Sequence, residues 1–135
     1  VAACKAQGIE FRSRIDYSDF SFMPFSDISI LFSNALNNAI EACMQRGDES
    51  TPWIDFTVLR KGEMLFIQLT NTIYSKVKKE NGVLFSRKSQ PENHGIGFKN
   101  MERVVQKHGG NITVDYDDSE FRLYINLPVG NSQTV

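Results

Sequence analysis

The stretch from His94 to Gly110 reads HGIGFKNMERVVQKHGG. Gly95 and Gly97 lead directly into a pattern in which Phe98, Met101, Val104, Val105 and His108 share one face of a helix. The spacing predicts a glycine-rich turn feeding a helix start, with Gly109-Gly110 ending that helix. Such a turn suits an anion. Without Cβ atoms the backbone can approach closely, and the unpaired N–H groups and positive dipole end of the helix face the bound charge. A lone G-x-G equally describes a tight turn before an ordinary surface helix. A second constellation elsewhere in the chain has to decide.

Upstream, Ile9 to Asp16 alternates apolar and polar residues apart from Ser13, which predicts a strand. Tyr17 to Met23 reads as a second short extended piece. Pro24, Ser26 and Asp27 resemble a helix start with a hydroxyl or carboxylate ready to cap. Ile28, Leu31, Phe32, Ala35, Leu36, Ala39, Ile40 and Cys43 then recur at three-and-four spacing, predicting a helix from Asp27 to about Met44, stopped at Arg46-Gly47-Asp48. Trp53 to Arg60 and Glu63 to Asn71 read as an antiparallel hairpin turning at Lys61-Gly62. Downstream of Gly110, Asn111 to Tyr116 and Glu120 to Leu127 form a last hairpin around Asp117-Asp118-Ser119, with Pro128 closing it and a frayed tail from Gly130.

Between the two hairpins, Thr72 to Asn93 is long, polar and only sparsely apolar, the composition of a functional lid or a disordered loop. Lys76, Lys78, Lys79, Arg87 and Lys88 outnumber Glu80 and Glu92 within it. Helices and antiparallel hairpins arriving in blocks predict an α+β two-layer sandwich, with helices on one face of a mixed sheet.

Composition is compatible with one domain over residues 1–135: the chain is 41% hydrophobic and 23% charged. A net charge of -1 gives no global electrostatic case for nucleic acid or an anionic membrane. Cys4 and Cys43 stand far apart without a histidine cluster, so free thiols of a reducing cytoplasmic setting are the plain reading. No apolar run is long enough for a membrane span, and no signal segment is visible. Val1 to Gln7 reads like the tail of a helix in a chain lacking an initial methionine, so a fragment of a longer protein is expected.

The second constellation lies on the Asp27 helix. Asn34, Asn37, Asn38 and Glu41 interrupt its polar side, and Asn34, Asn38 and Glu41 fall along one stripe. Asparagine is a poor mid-helix residue, because its amide competes for backbone hydrogen bonds. The stripe reads either as a solvated face or as a set of amides, each offering oxygen to a cation and N–H groups to a phosphate.

Asn34-Ala-Leu-Asn-Asn38-Ala-Ile-Glu41-Ala resembles the N box of the GHKL ATPase superfamily, which includes gyrase, MutL and histidine kinases. His94-Gly-Ile-Gly-Phe-Lys-Asn100 resembles its second glycine box. The NNAIEA and HGIGFKN forms are similar to the ATP-binding catalytic domain of sensor histidine kinases of the peptide-pheromone-receptor subgroup, of which the Agr quorum-sensing kinase is the familiar member. The resemblance spans about Ile9 to Pro128 and implies a Bergerat-type ATP-binding fold.

It also implies roles. Asn38 takes the magnesium-ligand position, and Asn34 the N-box place near the γ-phosphate where gyrase-like relatives carry a water-activating glutamate; an amide there suits a kinase better than a hydrolase. Glu41 falls where many histidine kinases carry a cation, so a supporting role is expected. Asn71 matches the aspartate that accepts from the adenine amino group, although the glycines of that box are absent and Thr72-Ile73-Tyr74-Ser75 follows. The G-T-x-F signature of other histidine kinases is also missing from the last hairpin, with Phe121 near the threonine's place. Ser86-Arg87-Lys88 resembles a lid element in which Lys88 reaches a phosphate. His94, Gly95, Ile96, Gly97 and Phe98 would line the phosphate side.

The implied activity is transfer of the γ-phosphoryl of Mg-ATP to a histidine on an upstream dimerisation domain, in a membrane-anchored homodimer that signals to a response regulator. The other reading is a nucleotide-dependent regulatory module, anti-sigma-like or degenerate, without phosphotransfer. His108, at a helix end, is explained by the dipole.

Overall fold

The computed structural model describes residues 2–45, 51–74 and 91–129, leaving the side chains of 2–3 and 91–96 outside that description. In chain order these are α1 (Ala2–Ala6), β1 (Glu10–Ile15), α2 (Phe25–Cys43), β2 (Trp53–Lys61), β3 (Met64–Thr72), α3 (Pro91–Lys107), β4 (Asn111–Tyr116) and β5 (Glu120–Pro128). The strands form one five-stranded mixed sheet in the order β1-β2-β3-β5-β4. β1 pairs with β2 in parallel and the other three pairings are antiparallel. A parallel pair cannot be joined by a tight turn, so α2 serves as the crossover between β1 and β2.

Alternation decides which face of the sheet meets the helices. Ile54 and Val58 on β2, Leu65, Ile67 and Leu69 on β3, and Leu123, Ile125 and Leu127 on β5 are all buried at every second position. Against them α2 lays Leu31, Ala35, Ala39 and Cys43, and α3 lays Met101, Val104 and Val105. Each fully buried Leu or Ile contributes roughly 1.5–3 kcal/mol. Phe32 meets Phe20 and Phe56 edge-on, with ring centroids at 5.4 and 5.6 Å, wedging α2 onto the β1–β2 side. The opposite face is polar: Arg12, Asp55, Thr70, Arg122 and Asp115 occupy successive register positions across all five strands. Arg12 pairs with Asp55, and Arg122 with Asp115. This is the expected α+β arrangement of a mixed sheet with helices.

Three local expectations are corrected. Tyr17 to Met23 is not extended: Asp19 accepts from the Ser21 N–H and hydroxyl, and Met23 N–H bonds Phe20, so side-chain and backbone bonds close a turn there. Neither Ser26 nor Asp27 caps α2. Pro24 holds the N-cap place without a side-chain bond, and Asp27 points across to α3. The third correction concerns α3. Its helix does not begin after the glycines; it starts at Pro91 and runs through Gly95 and Gly97. Proline suits a first helical position because its φ is preset and its missing N–H is one of the orphans. Periodicity could not reveal that first turn, because it contributes no apolar contact to the pattern.

The helix end is as expected. Gly109, at φ +76°, donates to Gln106 O, and Gly110 donates to Val105 O at 2.9 Å, the paired bonds of a glycine-terminated helix. Of the expected lid, residues 75–90 lie outside the described residues, Lys88 among them.

Candidate functional site

The buried positions of α2 are Asp27, Leu31, Ala35, Ala39 and Cys43, spaced every four residues. Asn34, Asn38 and Glu41 flank that line and are half-buried, so their stripe is not a freely solvated face. The Asn34 Nδ2 donates back to Ile30 O at 2.8 Å, which fixes its amide. Its Oδ1 then faces α3 at Gly97, where an added Cβ would lie only 3.1 Å away. Gly97 is therefore a place where a side chain fits only if Asn34 gives way by a few tenths of an ångström. Asn38 differs: its Nδ2 is buried and has no hydrogen-bond partner among the described residues. A buried unpaired amide costs about 1–3 kcal/mol unless something else satisfies it.

Asn71 is the counterpart on the sheet. It is 1% exposed, points to the helix side of β3, and sits in register with Ile54 and Phe121. Its Nδ2 donates to Thr72 O at 2.9 Å, and its Oδ1 is a buried acceptor with no donor among the described residues. Thr72 also anchors its surroundings. Its hydroxyl lies 3.4 Å from the Cys43 thiol and accepts from the Trp53 N–H at 3.3 Å. That contact brings the last turn of α2 against the end of β3, so Asn38 and Asn71 lie at the same end of the helix–sheet layer. Burial pushes the Cys43 thiol pKa up, which keeps it neutral there. Ile73 N–H bonds Ser119 O, tying this end to the β4–β5 turn.

Among the described residues no group of three His, Cys, Asp or Glu side chains could hold a metal. The donor set instead consists of amides. Such a set suits a cation that arrives already carrying phosphate oxygens, for which one amide oxygen is a sufficient protein ligand.

At the other end of α2, the nearly buried Asp27 carboxylate receives His108 Nε2 at 2.8 Å and Lys107 Nζ at 3.0 Å. The His108 bond, then the Lys107 bond, hold the Asp27 pKa below the ordinary carboxylate range. His108 is thus a structural partner that clasps two helix ends, a more specific role than dipole compensation.

The backbone of His94, Gly95 and Ile96 belongs to α3. With the helix begun at Pro91, the free N–H groups belong to its first turn, and those of Gly95 and Gly97 point along the helix. Phe98 is half-buried against the core. Reading residue types alone missed Thr72, whose carbonyl orients Asn71; only the hairpin register, which ends β3 at Thr72, could have drawn attention to it.

The family profile that matches is described as a GHKL domain and covers residues 23–128. No curated protein matches. Solved structures do. The nucleotide-free catalytic domain of histidine kinase ThkA (TM1359) superposes with a TM-score of 0.68 at 18% identity, covering 94% of this chain and 84% of that one. The histidine kinase domain of the Erythrobacter litoralis EL346 blue-light activated histidine kinase gives 0.65 at 17%, covering 95% and 60%. Full-length ShkA in complex with AMPPNP gives 0.66 at 14%, over 94% of this chain and 27% of that one. The fold is that of histidine kinase catalytic domains, and with its profile spanning both the asparagine stripe and the glycine helix, the chain belongs to the GHKL domain family.

Proposed function

We propose that this chain is the ATP-binding catalytic domain of a two-component sensor histidine kinase of the peptide-pheromone subgroup. It would bind Mg-ATP at the Asn38–Asn71 end of the helix–sheet layer and present the γ-phosphoryl to a histidine on an upstream dimerisation domain. The observation that carries this reading is the pair of buried, unpartnered amide atoms, Asn38 Nδ2 and Asn71 Oδ1. One is a donor and the other an acceptor, which are the needs of a phosphate oxygen and of an exocyclic amino group respectively.

In this reading Asn38 offers its Oδ1 to magnesium while its Nδ2 donates to a phosphate oxygen. Magnesium, when bound, neutralises the charge on the transferring phosphoryl group. Asn34 cannot act as a base, and with its amide pinned to Ile30 it orients rather than activates. Asn71 Oδ1 accepts from the adenine amino group. Gly95 and Gly97 would loosen the helix on the phosphate side. Each glycine weakens a helix by about 1 kcal/mol relative to alanine, so the first turns of α3 unwind easily toward a phosphate. Lys88 and His94 would add donors on the lid side. Catalysis is then positioning and charge neutralisation, with the nucleophile supplied from another domain.

The full-length protein would be a membrane-anchored dimer acting on a response regulator from the cytoplasmic side. Among the described residues no helix is long and apolar enough to cross a membrane. Nucleotide titration with and without magnesium, on the parent and on Asn38→Ala, tests the site. The substitution should abolish the magnesium-dependent part while leaving the fold as stable or slightly more so, since it removes an unpaired amide and a poor helix former. A variant that binds Mg-ATP like the parent sinks the metal assignment, and a full-length protein that forms no phosphohistidine with ATP sinks the kinase reading.

A further inference from the structure

At the end of the sheet opposite Asn71, the β2–β3 hairpin tip and the end of β1 enclose an open cleft of about 510 Å3. Arg14, Asp16, Tyr17, Leu59, Arg60 and Lys61 line it. Met64 and Asn71 stand at opposite ends of β3, so the cleft lies roughly 24 Å from the Asn71 end.

Arg60 is held there with unusual care. Its Nε donates to Gly62 O at 2.6 Å and its Nη1 to the Tyr17 hydroxyl at 3.0 Å, while the guanidinium lies 5.2 Å from the centre of the Tyr17 ring. Gly62, at φ +60°, makes the turn that aims that carbonyl. Every one of these partners is neutral. Among the described residues no carboxylate forms an ion pair with Arg60 or Lys61. Asp19 is within electrostatic reach of Arg60, but its Oδ1 is taken by the Ser21 N–H and hydroxyl. Arg14 pairs with Asp16 at 3.0 Å, an exposed contact that another carboxylate can exchange with at little cost. An arginine fork fixed by neutral partners, with Asp19 and Asp16 near but neither bonded to it, is preorganised for a carboxylate that can reach it directly.

The shape says which kind. A second, shallower trough of about 280 Å3 runs past Arg12, Ser13, Asp55 and Thr57 and meets the first at Arg14; Arg12 there is already paired with Asp55, so the unpaired positive charge lies at the Arg60–Lys61 end. Both are lined by β1 on one side and β2 on the other, and β1, which ends the sheet, is exposed at every residue except Phe11. Arg12 and Arg14 project from the same face of that strand about 7 Å apart, the spacing of alternate side chains in an extended chain. The Arg60 fork could hold a small phosphate equally well, but a single phosphate would leave the length of the two troughs unused, which an extended chain fills.

We propose that the cleft docks an extended acidic protein segment, which runs over β1 and the β2 margin and sets a carboxylate against Arg60 and Lys61. Tyr17 and Leu59 floor the cleft for an apolar residue between its carboxylates. The site is separate from the nucleotide and stands whether or not the chain is a kinase.

The test is amide chemical-shift titration of the labelled chain with a peptide of alternating Glu and Val, its Lys–Val counterpart, and inorganic phosphate. Expected are saturable shifts at Arg14, Tyr17, Arg60 and Lys61 with the acidic peptide only, weakened by salt. Arg60→Gln combined with Lys61→Gln should weaken that binding about tenfold or more, the loss of charge-assisted bonds, with the nucleotide titration unchanged. Arg60→Lys alone, which keeps the charge but loses the fork, should fall between. Absence of saturable shifts, equal response to the Lys–Val peptide, or phosphate saturating the same amides at comparable concentration each overturns the proposal.

Discussion

The Asp27 carboxylate, on the first turn of α2, accepts from His108 Nε2 at 2.8 Å just beyond the last turn of α3, joining residues eighty-one positions apart. With Lys107 it closes the antiparallel α2–α3 pair at one end. Because these bonds lower the folded-state pKa of Asp27, its contribution is present above the ordinary carboxylate range and is lost as pH falls through the folded value. Asp117 behaves alike: the Ser119 and Glu120 N–H groups push it down to about 2. Urea midpoints measured from pH 7 downward should fall steadily below about pH 4. Asp27→Asn should lower the midpoint at pH 7 and flatten that acid limb. An unchanged acid slope in the variant would refute the clasp.

Gly97 and Asn34 should be coupled. A Cβ at 97 would stand 3.1 Å from Asn34 Oδ1 and 3.8 Å from its Cγ, with nothing else near. Gly97→Ala gains about 0.5–1 kcal/mol of helix propensity, and the Asn34 contact opposes that gain. In an Asn34→Ala background the opposition vanishes, so Gly97→Ala should then stabilise by the full amount. A double-mutant cycle by chemical denaturation reads the difference; additive effects would mean that Asn34 yields freely.

Two other glycines separate space from backbone conformation. At Gly110 a Cβ would collide with Asn126 O, a backbone atom that cannot move without shifting β5, and would lie 2.9 Å from Leu127 Cδ2. Gly110→Ala should cost about 2–4 kcal/mol. Gly62 has open space around it, and only its φ of +60° opposes a side chain. Gly62→Ala should cost about 1–2 kcal/mol. Thermal melts that reverse this order would contradict the close packing of the α3–β4 turn.

Asn71 should read an amino group and reject a carbonyl. With Nδ2 committed to Thr72 O, its free Oδ1 can only accept, which favours adenine over guanine. Competition binding should show ATP preferred to GTP by about tenfold or more, the order of one unmatched buried polar pair. Asn71→Leu should lose that preference. Equal affinity for both nucleotides in the parent would mean that the amide turns over, or that the base lies elsewhere.

Much of the fold was legible because its signals are local. α2 shows its buried line at every fourth residue from Leu31 to Cys43, and both hairpins announce their turns, at Gly62 and at Asp117 to Ser119. The pairing of β1 with β2 left no local trace, because parallel neighbours meet only through the crossover. The start of α3 was invisible for a different reason: two glycines look like a turn, and Pro91 as a first helical residue says nothing about apolar contacts. The clasp of Asp27 by His108 depends on tertiary approach alone. At the site, asparagine at 34, 38 and 71 could be singled out as residue types. Which amide atoms stay unmatched was not readable, since that depends on Ile30 O and Thr72 O being where they are.

The crossover has a consequence for how the molecule can come apart. α2 carries Asn34 and Asn38, and it is also the only connection that lets Glu10 to Ile15 lie beside Trp53 to Val58. Detaching it would leave β1 tethered through a long loose loop, with its pairing to β2 no longer supported from above. The helix that carries the asparagine stripe is therefore the keystone of one sheet margin, and whatever tightens its seat also slows the fraying of that margin.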